Sequence, residues 1–320
     1  MTPQTSPRRA LVTMPDNAHG VSRERMRDRA CGAMLGLAIG DALGATVEFM
    51  TPREIGVQYG VHDRICGGGW LRLAPGDVTD DTTMTLALAG AWIDTQDMPD
   101  AEACALAFDG WMRSKPVDIG NTVRRGIIRW RLSGSAEAPP SSDAGNGATM
   151  RCLPVALACY GAAPELVTRA ALIQARVTHN NPLTDAATLS VIEMIQAALS
   201  GLGGDGVVSC AERLVSAHAD FDYRGRRCDN PSGYIVDTMR AVCQALESGG
   251  SFRQVLVDIV NRGGDADTTG AIAGMVMGAV CGERALPREW VAALKPMVRD
   301  ACVRAACDLI ELSPAYRIQE

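Results

Sequence analysis

Aromatic residues are scarce in this 320-residue chain, where Phe, Trp and Tyr together make up 4% of the sequence. β-Sandwiches and barrels are built from strands rich in aromatic and β-branched residues, so this scarcity argues against them. The 33 glycines and the many alanines instead suit closely packed helices, and no segment of the chain reads as a block of strands. We therefore predict a compact all-α fold.

The chain also lacks an excess of positive charge. Its net charge is −6, and its Lys and Arg residues do not gather in any one stretch. Proteins that bind DNA or RNA need a clustered basic face to meet the phosphates. The composition therefore excludes nucleic acid as the expected partner.

Zinc and disulfide patterns are absent as well. The 11 cysteines are scattered with no C-x-x-C spacing, and the four histidines form no H-E-x-x-H motif. Scattered cysteines of this kind are typical of small buried side chains in a reducing compartment. We expect a cytoplasmic protein without a zinc site.

No apolar run is long enough for a signal peptide or a transmembrane helix. Near the N-terminus only Ala10–Met14 is apolar before Pro15 interrupts it. We predict that residues 1–21 form a disordered tail and residues 22–320 a single domain. The Ser- and Pro-rich connector Gly134–Gly145 is interpreted as a loop within that domain, because similar helical texture resumes directly after it.

Two stretches place acids and threonines directly before runs of small apolar residues. One contains Thr79, Asp80 and Asp81, and the other contains Asp265, Asp267 and Thr268. Such residues can cap a helix N-terminus, where the helix dipole favours carboxylates. One capping residue would suffice, however, and neighbouring carboxylates repel each other. Two such helix starts facing one another would offer the oxygen ligands that Mg²⁺ or Mn²⁺ takes, and this is the hypothesis we favour.

Glycine recurs every four residues in two predicted helices. The first helix should begin after Ser22 and end near Thr46, and the second follows Thr269; their glycines are Gly32, Gly36, Gly40 and Gly44, and Gly270, Gly274, Gly278 and Gly282. Glycine costs a helix about 1 kcal/mol relative to Ala, so these faces indicate close backbone approach. We predict that the two helices pack together and bring Glu48 toward Asp265 and Asp267.

Other candidate residues lie at predicted loop and helix boundaries. Asp118 precedes a helix start, where it is either a cap or a catalytic carboxylate. Asn146 and Gly147 precede a helix predicted over Ala148–Tyr160, which would leave backbone N–H groups open to a phosphate. His179 lies before Pro182 and is either a contact for a ribose or base or a satisfied loop histidine. The Gly-rich stretch Thr51–Pro75 is predicted to be a loop.

With these motifs in view, the chain resembles the ADP-ribosylglycohydrolase family, and within it the nitrogen-fixation branch. The resemblance runs from about Arg29 to about Ile310. The segments that carry it include GLAIGDALGATVEFM, VTDDTTMTLAL, PVDIGNTVRRGI, AGNGATMRCLPVALA, THNNPLTDAATL and VNRGGDADTTGAIAGM. The family implies an all-α fold that holds two divalent cations, Mn²⁺ or Mg²⁺, in a cleft.

The resemblance also implies roles for individual residues. The implied catalytic residues are Asp118, which matches the acid or base, and Glu48, which lies at the edge of the metal site. The matching metal ligands are Thr79, Asp80, Asp81, Asp265, Asp267 and Thr268, and the matching ADP-ribose contacts are Asn146, Gly147, His179 and, on a looser match, Tyr223. Two positions depart from relatives: Thr83 stands where Glu is common, and Asp143 stands where the branch often has His.

The activity that the resemblance implies is hydrolysis of the N-glycosidic bond between ADP-ribose and an arginine. In this branch the modified protein is ADP-ribosylated dinitrogenase reductase, and a PII-type signalling protein is an implied partner. Two alternatives stay open at this point: a two-metal enzyme that cleaves the pyrophosphate of ADP-ribose or another phosphoester, and a non-catalytic protein that binds ADP-ribose.

Overall fold

A computed structural model describes residues 20–318, and within that range the regular structure is helical. The only β-type pairings among these residues are two isolated bridges, Gly68 with Leu73 and Gly145 with Tyr234. The predicted all-α fold is confirmed. The predicted N-terminal tail lies, up to residue 19, outside the described residues.

The α-helices follow one another along the chain with short connections. Their bounds are α1 Arg23–Gly44, α2 Pro52–Tyr59, α3 Asp80–Thr95, α4 Ala101–Arg113, α5 Asn121–Ser133, α6 Leu153–Ala158, α7 Pro164–Arg176, α8 Pro182–Leu199, α9 Gly203–Ala217, α10 Ile235–Ser248, α11 Phe252–Val260, α12 Ala266–Cys281, α13 Arg288–Ala293, α14 Pro296–Leu312 and α15 Pro314–Arg317.

The two glycine-lined helices, α1 and α12, form the centre of the fold and run antiparallel. Added to Gly36, a Cβ atom would lie 2.2 Å from the carbonyl oxygen of Gly274, and a Cβ on Gly274 would lie 2.1 Å from that of Gly36. Gly32 faces Gly278 and Gly40 faces Gly270 in the same way. The predicted packing is confirmed, since no side chain fits between these backbones.

Helices α3, α8, α10, α11 and α14 surround this central pair. Both central helices are buried on nearly all sides, as expected for helices that are apolar all round. The buried apolar side chains form a connected core that runs from Val21 to Ala315. Such a core favours the expected single domain, which stays a prediction. Among the described residues, no helix combines the length and the apolar character needed to cross a membrane.

The predicted loop Thr51–Pro75 is wrong at its start, because α2 occupies Pro52–Tyr59. The side chain of Thr51 accepts a hydrogen bond from the backbone of Glu54, and the Glu54 carboxylate accepts one from the backbone of Thr51. This reciprocal capping box, with proline at the first helical position, stabilises a short helix that hydrophobic periodicity alone does not reveal.

The helix predicted over Ala148–Tyr160 is also shorter than expected and begins at Leu153. Residues 146–152 form a tight turn in which the N–H groups of Thr149 and Met150 donate to the carbonyl of Asn146. A helix continuing through Pro154 would lose one backbone donor, and the proline ring would clash with the preceding turn. Pro154 therefore lies near the start of α6 instead of inside a longer helix.

Candidate metal centre and ligand cleft

A cleft of about 520 Å³ opens where α1, α3, α5 and α12 converge, and it brings most of the predicted site residues together. Those lining it are Glu48, Asp80, Asp118, Asn146, Gly147, His179, Asp265, Asp267 and Thr268. Thr79 and Asp81 are fully buried and do not line the cleft. Tyr223 does not line it either.

Glu48 meets the acids at the start of α12, as predicted. One carboxylate oxygen each from Glu48, Asp265 and Asp267 lies within 4.8 Å of the others. The backbone holds them there, since the Phe49 N–H donates to Gly264 at 2.8 Å and the Gly264 N–H donates to Met50 at 2.9 Å. The close packing of α1 and α12 thus extends beyond the helix ends and fixes the position of Glu48.

The start of α3 is held by an acid that the sequence did not single out, Asp41 of α1. Its buried carboxylate accepts from the Thr79 N–H at 2.9 Å, the Thr82 N–H at 3.0 Å and the Thr82 hydroxyl. Asp41 therefore caps α3 from a neighbouring helix. An acid within the apolar run of α1 was the available signal, because a buried carboxylate needs donors.

The acids at the starts of α3 and α12 are therefore not their own helix caps. Neither helix has a side-chain cap at its first position, Thr79 or Asp265. Asp118 is not a cap of α5 either: that position is Gly120, whose N–H instead donates to Asp80 at 3.3 Å. The capping interpretation fails at all three places, which leaves these carboxylates free for another role.

Asp81 links the two helix starts behind the cleft. Its Oδ2 accepts from the Thr268 hydroxyl at 3.2 Å and from the Thr79 hydroxyl at 3.4 Å. Its other oxygen, Oδ1, is buried and has no hydrogen-bond partner among the described residues. A buried carboxylate oxygen without a donor is costly, and a bound cation would remove that cost.

The electrostatics of the cleft favour a bound cation. Burial raises the pKa of Asp80 to about 7 and that of Glu48 to about 8, and neighbouring carboxylates add to both shifts. The pKa values of Asp81 and Asp267 lie well above the usual range, again through burial and then through neighbouring acids. None of the ion pairs described between residues 20 and 318 involves these four acids. An all-oxygen donor set of this charge suits a hard divalent cation.

Asp118 faces the same cleft from the segment before α5. It is half-buried, and burial raises the pKa of its carboxyl group. Its Oδ1 accepts from the Ile119 N–H at 2.7 Å, and its charge in turn contributes to the raised pKa values of Glu48 and Asp80. Asp118 is therefore close to the acidic cluster and belongs to neither Asp/Thr helix start.

His179 lies beneath the Gly145–Gly147 turn, and its Nδ1 is hydrogen-bonded to the Thr178 hydroxyl. Arg151 donates to the Thr178 hydroxyl oxygen at 2.8 Å, and that hydroxyl lies 2.8 Å from Nδ1 of His179. Because arginine can only donate, the hydroxyl hydrogen is available to Nδ1, and we assign the ring proton to Nε2 on this ground. Burial, followed by the charge of Arg151, lowers the pKa of His179 to about 3, so the ring is neutral.

The two glycines of this turn lie close to that ring, where a side chain would crowd it. A Cβ on Gly145 would lie 3.1 Å from Nε2 of His179, and one on Gly147 would lie 3.0 Å from Cε1. Asn146, between them, turns its amide nitrogen away and donates to Asp265 and to Thr238. Its side chain thus supports a candidate metal ligand, and its backbone N–H donates to the carbonyl of Gly233 at 3.1 Å.

Tyr223 is placed elsewhere by the structure. Its ring is buried, and its hydroxyl donates to Glu247 at 3.3 Å beside a separate small depression that includes Arg224. The fold does not bring it to the cleft, so the expected ligand contact lacks support. Tyr234, in contrast, directly follows the cleft residue Gly233, is half-exposed and pairs with Gly145 through its backbone.

The two unusual positions noted in the sequence are explained by local contacts. The Thr83 hydroxyl donates to the carbonyl of Thr79 at 2.8 Å and accepts from the indole of Trp111 at 2.9 Å, so it points away from the cleft. Asp143 lines the cleft but is paired with Arg125 at 2.5 Å. The extra negative charge near the proposed phosphate site therefore has a matching cation.

Comparisons with known proteins agree with this geometry. The chain is 47% identical over 90% of its length, and 97% of the relative's, to the ADP-ribosyl-(dinitrogen reductase) glycohydrolase of Rhodospirillum rubrum. It is 33% identical, over 84% of its length and 74% of the relative's, to the ADP-ribosylarginine hydrolase Tri1 of Pseudomonas putida strain GB-1.

A solved structure described as an ADP-ribosylglycohydrolase-related protein complex superimposes with a TM-score of 0.80 at 31% identity, covering 90% of this chain and 99% of that one. The family model for ADP-ribosylglycohydrolase matches residues 22–317. The chain belongs to the ADP-ribosylglycohydrolase family.

Proposed function

We propose that this protein is a metal-dependent hydrolase that removes ADP-ribose from an arginine of dinitrogenase reductase and so reactivates nitrogenase. The observation that carries the proposal is the meeting of both Asp/Thr helix starts with Glu48 and Asp118 in one cleft. The names of the two relatives, one a dinitrogen reductase glycohydrolase and one an ADP-ribosylarginine hydrolase, support the same substrate class.

We propose that the cleft holds two divalent cations, Mn²⁺ or Mg²⁺. The residues that would hold them are Thr79, Asp80, Asp81, Asp265, Asp267 and Thr268, with Glu48 at the edge. The buried oxygen of Asp81 that lacks a donor, together with the raised pKa values, supports this assignment. When bound, such cations supply charge stabilisation for ribose oxygens and lower the pKa of water.

The residues of the chain would then transfer the proton and orient the substrate. Cleavage of the ribose–guanidine bond passes through an oxocarbenium-like state, and water replaces the guanidine. Asp118, whose carboxyl faces the cleft outside both metal-binding stretches, would move the proton between water, sugar and guanidine. His179 would donate Nε2–H to the ligand, and the N–H groups of Gly145 and Gly147 would orient the diphosphate.

Two further expectations stay predictions from the resemblance alone. These are the binding of a PII-type signalling protein and the cytoplasmic location.

Product analysis tests the proposed function against the open alternatives. The purified protein with Mn²⁺ or Mg²⁺ is incubated with arginine-modified dinitrogenase reductase, and the released compounds are separated. We expect intact ADP-ribose together with unmodified arginine. Release of AMP, with ribose phosphate left on the arginine, would instead identify a pyrophosphatase, and binding of ADP-ribose without turnover would identify a non-catalytic protein.

The linkage is tested in the same assay with serine-linked ADP-ribose at equal concentration. We expect little release from serine, because the motifs of this chain match the arginine branch. A preference for serine would overturn the substrate assignment and leave the metal site standing.

A further inference from the structure

The mouth of the cleft carries an aromatic side chain in an unusual setting. Phe49 is 65% exposed, whereas the other phenylalanines of the chain are at most 2% exposed. Its backbone φ of 63° lies in the left-handed region, which a bulky residue rarely adopts. An exposed apolar ring on a strained backbone at a cleft indicates a functional constraint, because neither feature helps the fold.

A second aromatic ring, that of Trp70, completes this feature. Trp70 is 52% exposed, and its ring centroid lies 5.4 Å from that of Phe49 at a tilt of 48°. Its indole N–H donates to Oε2 of Glu48 at 2.6 Å. The loop that carries it packs tightly on the end of α1, where a Cβ on Gly69 would lie 2.3 Å from the carbonyl of Ala45. The two rings are thus held in place next to the acidic cluster.

We infer that Phe49 and Trp70 form the subsite for the arginine side chain of the modified protein, with the guanidinium lying against their rings beside Glu48. This inference rests on the proposed function. Guanidinium groups stack on aromatic faces and are attracted to the electron density of the rings. The Glu48 carboxylate beside Trp70 adds a favourable charge, since a substituted guanidinium is a cation.

The covalent connectivity of the substrate favours the guanidinium over the adenine at this place. The guanidine is attached directly to the ribose whose bond is broken, whereas the adenine is separated from it by a second ribose and two phosphates. Trp70 is hydrogen-bonded to Glu48, whose carboxylate belongs to the same acidic cluster as Asp265 and Asp267. A group next to this cluster is therefore next to the scissile bond. The exposure of both rings also fits a side chain that arrives on a folded protein.

Equilibrium binding of two probes tests the inference. ADP-ribosylagmatine carries the guanidinium without a protein, and ADP-ribose lacks it. Both are titrated into Asp118→Asn protein loaded with Mn²⁺, so that the first probe is consumed slowly. We expect Phe49→Leu in this background to weaken ADP-ribosylagmatine about three- to tenfold, the range expected for a lost cation–π contact. ADP-ribose binding and bound metal should stay within about twofold of the parent.

Matched variants separate the role of the ring from general damage. Phe49→Tyr and Trp70→Phe keep aromatic faces and should retain most of the preference for ADP-ribosylagmatine. Leu106→Ala removes an exposed apolar side chain outside the cleft and should change neither affinity. If Phe49→Leu fails to fold, Trp70→Leu provides the same comparison, with metal content measured alongside.

Three results would overturn the inference. Equal weakening of both probes would place the adenine or ribose on the rings. If the affinity for arginine-modified dinitrogenase reductase, titrated as a third probe, falls while that for ADP-ribosylagmatine does not, the rings contact the protein surface and not the guanidinium. Unchanged affinities would show no subsite. If the wild-type protein does not cleave ADP-ribosylagmatine, the proposed function fails separately, and the binding comparison is made in the wild-type background.

Discussion

The starts of α3 and α12 read alike in the sequence but are supported differently in the fold. At α3 the backbone N–H groups of Thr79 and Thr82 are satisfied by Asp41 from another helix. At α12 no carboxylate of the described residues caps the helix, and the supporting group is the Asn146 amide, which donates to Asp265. At α3 the support therefore satisfies backbone N–H groups. At α12 it orients the carboxylate of Asp265, a candidate metal ligand.

This difference shows that similar motifs can supply equivalent ligands by separate means. Asp41 takes over the capping task, which frees Asp80 to line the cleft and Asp81 to link the two helix starts behind it. At α12 the close packing of glycines aligns the helix, and the Gly264–Met50 backbone pairing brings Glu48 alongside. We expect the two helix starts to contribute equally to metal binding. We expect them to differ in how much metal affinity is lost when their supporting residue, Asp41 or Asn146, is replaced.

Removal of one ligand from either start should have the largest effect. Asp80→Ala and Asp267→Ala each delete a charged oxygen donor, so both should abolish turnover and lower bound metal, as should chelation with EDTA. Metal analysis and release of ADP-ribose measure the outcome. Asp94→Asn, an exposed acid at the far end of α3, is the control and should retain both. Activity in excess EDTA, or unchanged metal in both variants, would contradict the shared site.

Asp118 belongs to neither helix start and should separate catalysis from metal binding. Asp118→Asn should fold, keep its metals and bind ADP-ribose, yet lose about 10²–10⁴-fold in turnover, the usual contribution of a general acid or base. Single-turnover rates and metal content measure the two properties. Normal turnover would remove Asp118 from the chemistry, and lost metal would make it a ligand instead.

The supporting residues should show the expected inequality. Asp41→Asn loses a carboxylate that serves three donors, so we expect metal affinity to fall about 10–100-fold, together with a lower melting temperature. Asn146→Ala removes one oriented donor at α12 and should weaken metal binding less. Calorimetric titration with Mn²⁺ compares the two variants. A larger loss in Asn146→Ala would mean that the α12 start depends more on its support.

The smallest expected effect is the pH dependence of stability. It reports on the charge of the carboxyl groups clustered in the cleft. In metal-free protein, burial raises the pKa of Asp80 to about 7 and of Glu48 to about 8, so the folded state holds protons that the unfolded chain has released. This contribution is complete below the ordinary carboxyl pKa of about 4 and is lost as pH rises toward 8.

A divalent cation replaces these protons, so the gain in melting temperature on adding Mn²⁺ should be larger at pH 8 than at pH 6. Thermal unfolding at both pH values, with and without metal, measures it. An equal gain at the two values would mean that the acids are already ionised without metal.

Many parts of the site were predictable because their signals are local. The acids and threonines at the helix starts stand out by spacing, and the glycine repeats of α1 and α12 indicate a backbone contact that brings Glu48 to Asp265 and Asp267. Each of these patterns follows from a constraint on a short segment. The signal for α2 is equally local, since the Thr51–Glu54 capping box can be recognised from the sequence. The Gly-rich residues around it led instead to the prediction of a loop.

The sequence by itself therefore determined the helical class, the packing of the two glycine-lined helices and the identity of most cleft acids. It could do so because periodicity and side-chain chemistry act along the chain. Only the tertiary structure decided that Asp41 caps α3, that Tyr223 lies away from the cleft and that Phe49 and Trp70 meet at its mouth. These facts depend on contacts between residues distant in sequence, where hydrogen-bond satisfaction and steric fit select one arrangement that no local pattern encodes.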